Sequence, residues 1–164
     1  MLDWIHTNIL TLVIFFPMAG VLLLSVLPKE NTKALKWSAL CIFGIEFALS
    51  LHLLVYFADS SMVAYQYMVH LPWIKAWNIH YFVGIDGVSL LLILLTTISM
   101  PIVLLGTWNS IQHNLKFYLI CLTSLVTGIV GVFSALDMFL FYLFWEVMLI
   151  PMYFMIGIWG GKNR

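Results

Sequence analysis

The chain has 164 residues, 63% of them hydrophobic and 9% charged, with seven basic residues balancing seven acidic ones. Its mean hydropathy of +1.06 excludes a water-soluble domain, which must offer polar surface to solvent. No basic block stands out, so a nucleic acid is excluded as a partner. Composition points to an all-α integral membrane protein whose solvent is the lipid bilayer.

An apolar run of about 20 residues crosses a hydrocarbon core as a helix. Five such spans are expected, at 8–27, 37–57, 88–108, 117–135 and 138–159. The N-terminal MLDWIHTNILTLVIF lacks the positive segment of a secretory signal, so its apolar run is read as a retained first span. The second span carries Glu46, with Ser50 one turn on and His52 nearer the end. Pro17, Pro101 and Pro151 fall inside spans, where each removes a backbone donor and can kink its helix.

The connection between the second and third spans has the two-residue rhythm of strands. Tyr65, Tyr67 and Val69 alternate, followed by Trp73, Lys75, Trp77, Ile79, Tyr81 and Val83. This predicts a short external β-hairpin lying along the membrane surface, its aromatics in the interfacial belt. His70 and His80 lie in it without a carboxylate or cysteine to complete a ligand set, so no metal site is expected. Cys41 and Cys121 sit within apolar runs and read as packing residues.

In the fourth span Thr123, Thr127, Gly131 and Ser134 recur at helical spacing, with Ser124 and Gly128 alongside. Such a small-residue face lets another helix approach closely, or lines a hydrophilic path. The very short connection to the fifth span predicts an antiparallel helix pair. Gly157 and Gly161 form a GxxxG at the end of that span, a weak dimerisation signal. Lys29, Lys33, Lys36, Lys116, Lys162 and Arg164 fall on one side of the spans, and Asp3, Asp59, Asp86 and Asp137 on the other, Lys75 alone breaking the pattern. The excess of Lys and Arg places the N-terminus outside and residue 164 in the cytoplasm.

Glu146 is the residue that most needs a reason. An ionisable side chain at mid-bilayer costs on the order of 2.5 to 3.5 kcal/mol on insertion scales, so it is expected to face protein interior and to handle a proton. Tyr142 lies one turn before it and Tyr153 two turns after, so all three can share one face as a hydrogen-bonded path, lipid contact being the alternative for the tyrosines. Pro151 should free the carbonyl of Val147 beside the acid, through a kink that packing alone would also explain. Glu46 is either a second relay or a hydrogen-bonded packing residue. No span contains a lysine or arginine. Either Glu146 is largely protonated in this chain, or its cation lies elsewhere.

Two stretches carry a resemblance: VGIDGVSLLLILLTTISMPIVLL, 83–105, and LDMFLFYLFWEVMLIPMYFMIGIWGG, 136–161. They resemble the antiporter-like chain M of proton-pumping NADH:quinone oxidoreductase, respiratory complex I, the bacterial counterpart of mitochondrial subunit four. Mrp-type cation/proton antiporter and membrane-bound hydrogenase subunits share the fold and much of this pattern, and remain alternatives. The resemblance implies that Glu146 is the family's glutamate of the fifth helix, paired with a lysine in a later broken helix along a hydrated axis. It implies a subunit of a translocase in the bacterial inner membrane, in contact with other membrane subunits, especially antiporter-like neighbours. No cofactor is expected in this chain, since NADH, FMN, iron–sulfur clusters and quinone belong to partner subunits. Family members are longer, with two inverted repeats of five helices after three leading ones. Residues 1–164 are therefore expected to be the N-terminal part of one antiporter-like membrane domain, lacking the broken helix and unable to pump unaided.

Overall fold

The computed structural model describes residues 2–57 and 64–161, with side chains from residue 8 onward. The side chain of Asp3 and residues Asp59, Lys162 and Arg164, used above to orient the chain, lie outside the described residues. Five helices, α1 (Leu2–Val26), α2 (Thr32–Val55), α3 (Gly87–Gly106), α4 (Leu115–Ser134) and α5 (Met138–Trp159), are joined between α2 and α3 by a hairpin of β1 (Gln66–Ile74) and β2 (Ile79–Ile85). Each helix is long and apolar enough to cross a membrane.

Three helix starts follow from side-chain caps. Asn31 accepts the amide of Ala34 at 3.1 Å, so α2 begins at Thr32, ahead of the expected residue 37, and Lys33 and Lys36 become helical. Asp86 accepts the amide of Ser89 at 2.7 Å and starts α3. That amide, first among its hydrogen bonds, holds the Asp86 carboxyl below the usual carboxylate range. Asp137 accepts from Phe139 and Leu140 at 2.9 and 3.0 Å and starts α5. Two of the aspartates that segregate to one side are thus N-caps, and their position has a local cause. Helical structure continues through Pro17, Pro101 and Pro151.

Opposite the aspartate caps, the lysines close helix C-termini. Lys36 donates to the carbonyl of Trp108 and lies 5.4 Å from the centroid of its ring. Lys116 donates to the carbonyls of Ser25 and Leu27 at 2.7 and 2.8 Å, covering the end of α1. Both lysines meet the negative pole of a helix.

α4 is the hub, packed against α1, α2, α3 and α5. Its small residues permit the expected close approach. A Cβ on Gly128 would lie 2.8 Å from that of Met148, and one on Gly131 only 2.3 Å from the ring of Phe144. Gly157 and Gly161 have no neighbour within 4 Å of that position. Cys121 is buried on α4 and Cys41 is exposed on α2, both with free thiols.

The hairpin pairs antiparallel, with Val69 opposite Val83 and Leu71 opposite Tyr81. β2 buries Ile79 at its start and Val83, Gly84 and Ile85 at its end, with His80, Tyr81 and Phe82 half-buried between, so strict alternation does not hold. Lys75 and Trp77, counted above in the strand rhythm, belong instead to a 3-10 turn. Asn78 closes that turn at φ 53°, a conformation its short polar side chain tolerates. The hairpin is tied to helix ends rather than hanging free. The amide of Leu136 donates to the carbonyl of Phe82 at 2.9 Å; the hydroxyls of Tyr67 and Tyr81 donate to the Leu53 carbonyl and to Thr11, each at 3.1 Å. The hairpin therefore caps one end of the helix bundle.

Candidate functional site

The two membrane-embedded glutamates occupy opposite environments. α5 buries Leu140, Phe144 and Pro151 against the rest of the molecule. Those positions recur at four and seven residues, one side of a helix. Glu146 lies two positions past Phe144, about 200° round the helix, and its side chain is exposed. The Tyr142 hydroxyl, one turn back on the same face, is the polar group that interacts with the Glu146 carboxylate. Tyr142 and Tyr153 are both exposed on the same helix.

The expectation that Glu146 faces protein interior is therefore not met within these five helices. The reason is packing: α5 turns one stripe toward α4, where Phe144 also meets Phe15 of α1, and among the described residues no helix packs on the side that carries Glu146. Tyr142 is brought into contact with the acid as expected. Tyr153 is on the open side without a hydrogen bond to Glu146 among those described.

Glu46 is the buried acid. It is 1% exposed, and neither carboxyl oxygen has a hydrogen-bond partner. The hydrogen-bonded contact expected of it is made instead by Ser50, whose hydroxyl lies 2.7 Å from that of Thr97 on α3 and bonds the Phe47 carbonyl at 2.8 Å. Among the described residues, Thr127 on α4 is the one buried hydroxyl without a partner. Sequence reading placed Thr127 on a packing face and passed over Thr97, since nothing in the order of residues tells which turn of α3 meets which turn of α2.

His70 and His80 stack across the hairpin with ring centroids 4.7 Å apart. Among the described residues, no three His, Cys, Asp or Glu side chains gather as a metal site.

No family model matches the chain. It is 40% identical to the NADH-ubiquinone oxidoreductase chain 4 of Chondrus crispus over 157 residues, which is 96% of this chain and 32% of that one. It is 39% identical to the NADH-quinone oxidoreductase subunit M of Rhodobacter capsulatus over 161 residues, 96% of this chain and 31% of that one. A third relative, the chloroplastic NAD(P)H-quinone oxidoreductase chain 4 of Mesostigma viride, is 37% identical over 155 residues, 94% of this chain and 30% of that one. The chain thus spans about a third of the length of the curated relatives it matches.

Proposed function

We propose that this chain is the leading membrane portion of a chain 4 or subunit M protein of NADH:quinone oxidoreductase, and that it serves proton translocation. Electron transfer from NADH to quinone, with FMN and iron–sulfur clusters, takes place in partner subunits. Glu146 is the proton-transfer residue, and Tyr142, one turn away on the same face, is its polar neighbour. The cation that balances Glu146 is a lysine of a later helix, outside residues 1–164. Pro151, buried on the opposite side of α5, loosens the backbone near the acid by freeing the Val147 carbonyl.

One observation carries this reading: an acid and a tyrosine hydroxyl one turn apart sit together on an otherwise apolar helix face that, among the described residues, no other helix covers. An acid displayed to hydrocarbon is expensive, whereas the same acid facing another helix or a water-filled path is supported by partners. The lysine-bearing end faces the cytoplasm and the hairpin end the outside of a bacterial inner membrane, by the excess of Lys and Arg in the short connections. Neighbouring antiporter-like membrane subunits are the expected partners.

The test uses the complete complex reconstituted in vesicles, with Glu146→Gln in this subunit. Loss of a positioned proton-transfer group typically costs about 100-fold or more in the step it serves, so protons moved per NADH oxidised should fall sharply while the complex still assembles. Unimpaired pumping and turnover in an assembled variant would remove the role. Purification under mild detergent tests the assignment separately: a polypeptide heavier than 18.8 kDa that brings NADH-oxidising partners with it is expected. Co-purification with a cation/proton antiporter that oxidises no NADH would overturn it.

A further inference from the structure

The interior of α1 to α4 holds a second polar arrangement that the function above does not use. Glu46 is buried with both carboxyl oxygens unpartnered, and Thr127 is buried with its hydroxyl unpartnered. Thr127 stands apart from the other buried hydroxyls of α4. Thr123 donates to the carbonyl of Leu119 at 2.7 Å and Ser134 to that of Val130 at 2.8 Å. Both use the carbonyl four residues back, the usual way a helix satisfies a buried hydroxyl. Thr127 does not.

Hydrogen bonds between helices set the levels of these groups. Ser50 and Thr97 are paired across α2 and α3. At the lysine-bearing end the Tyr118 hydroxyl donates to Thr107, tying α4 to α3. From Thr107 to Thr97 the rise is about 15 Å, and from Tyr118 to Thr127 about 14 Å in the same direction, at 1.5 Å per residue. Thr127 is therefore within a turn of the Ser50–Thr97 pair, and Glu46 lies one turn below Ser50 on the same side of α2. Three helices that pack together bring an acid and the hydroxyls of Ser50, Thr97, Thr127 and Thr123, the last already bonded to the Leu119 carbonyl, into one layer.

Among the described residues, no lysine or arginine reaches this layer. Apart from these hydroxyls, the buried side chains of the neighbouring helices are largely apolar, among them Leu10, Val13 and Ile14 of α1, Ile93 and Met100 of α3, and Leu122 and Val126 of α4. Of the titratable groups of α4, Tyr118 lies toward the lysine end, and Cys121, a buried free thiol, is about as far along the axis from Glu46 as Thr127 is; neither is a cation, and Lys116 is held by the carbonyls of Ser25 and Leu27. On α2 itself Lys36 is bound to Trp108, while His52 stacks on Tyr56, 4.5 Å between centroids. A carboxylate buried without a countercharge is far costlier than a carboxylic acid, which has a proton to donate and oxygens to accept with.

We propose that Glu46, Thr127 and the Ser50–Thr97 pair form an internal proton site, in which Glu46 is a neutral carboxylic acid joined to Thr127 by a bound water. Water fits because it both donates and accepts, and buried waters occupy places where several otherwise unsatisfied polar groups converge. The site is separate from Glu146, and it stands whichever complex the chain serves.

Infrared spectroscopy of the complete native protein in lipid at neutral pH tests it through the acid itself. Expected are a carboxylic C=O band that Glu46→Gln abolishes, that moves to lower frequency in D2O, and that Thr127→Val shifts while Thr127→Ser leaves it in place. Because the threonine variants keep the acid, their comparison decides the matter even if the glutamine variant fails to assemble. A spectrum with no such band means an ionised Glu46 and overturns the proposal. A band indifferent to D2O means a dry, closed acid, and one indifferent to Thr127→Val means that Thr127 is no partner; either outcome also overturns it.

Discussion

α4 and α5 are neighbours in sequence, antiparallel, nearly equal in length and both strongly apolar, yet 61% of the apolar window of α4 is buried against 17% of that of α5. The difference follows the size of their side chains rather than their polarity. α4 presents Gly128, Gly131, Thr123, Thr127 and Ser134, and other helices close around it. α5 presents Phe139, Tyr142, Trp145 and Tyr153 outward, and only its Phe144 and Met148 side enters the notch made by the glycines. Where lipid is as apolar as any side chain, close van der Waals approach decides what becomes interior. The same contrast separates the acids. Glu46 points into a crowded bundle and has no partner; Glu146 points away from it and has a tyrosine.

The comparison can be broken most severely at the notch. Gly131→Ala places a methyl 2.3 Å from the Phe144 ring; overpacking of this kind costs about 1 to 3 kcal/mol, and Gly131→Leu should prevent the α4–α5 pair from forming. Gly157→Ala, with open space around it, should change stability by less than about 0.5 kcal/mol, as surface substitutions do. Thermal unfolding of the two variants side by side in detergent checks this, and equal losses would mean that small residues do not set the interior.

Smaller effects are expected at the cap. Asp137→Ala leaves the amides of Phe139 and Leu140 without their acceptor and should cost about 1 kcal/mol, read as a lowered unfolding temperature. At Asp86 the sign of the pH dependence follows from its depressed pKa. The unfolded chain binds a proton there more readily than the folded one, so the stabilisation is present above the unfolded value of about 4 and is lost as pH falls through the folded value. Asp86→Asn keeps a capping side chain but cannot titrate, and should remove this part of the acid sensitivity. An unchanged acid profile in the Asn variant would locate the sensitivity elsewhere.

The smallest effect is expected at the hairpin. Tyr81→Phe removes the bond to Thr11 and should cost about 1 kcal/mol or less. Hydrogen exchange in β2 measures it: faster exchange confined to the hairpin is expected, and faster exchange throughout α1 would show that the contact supports the bundle as well.

The identities and order of the residues were enough to place five spans, the hairpin between the second and third, and the close pairing of the last two helices. Each depends on something local: a run of apolar side chains, a two-residue rhythm, glycines one turn apart. The hydrogen bonds that Asp86 and Asp137 make to the following amides are local too. They went unread because the aspartates were weighed as charges relative to the membrane rather than as acceptors for free backbone donors. The acids were legible as anomalies, and Tyr142 as a partner one turn away. Which acid is enclosed was decided only by tertiary structure. Rotation of a helix that is apolar on nearly every side carries no amphipathic signal; it is set by which side chains of its neighbours it can approach. Glu46 therefore became interior through the meeting of α2 with α3 and α4 at Ser50 and Thr97, while Glu146 stayed outward because Gly128 and Gly131 admit the opposite side of α5.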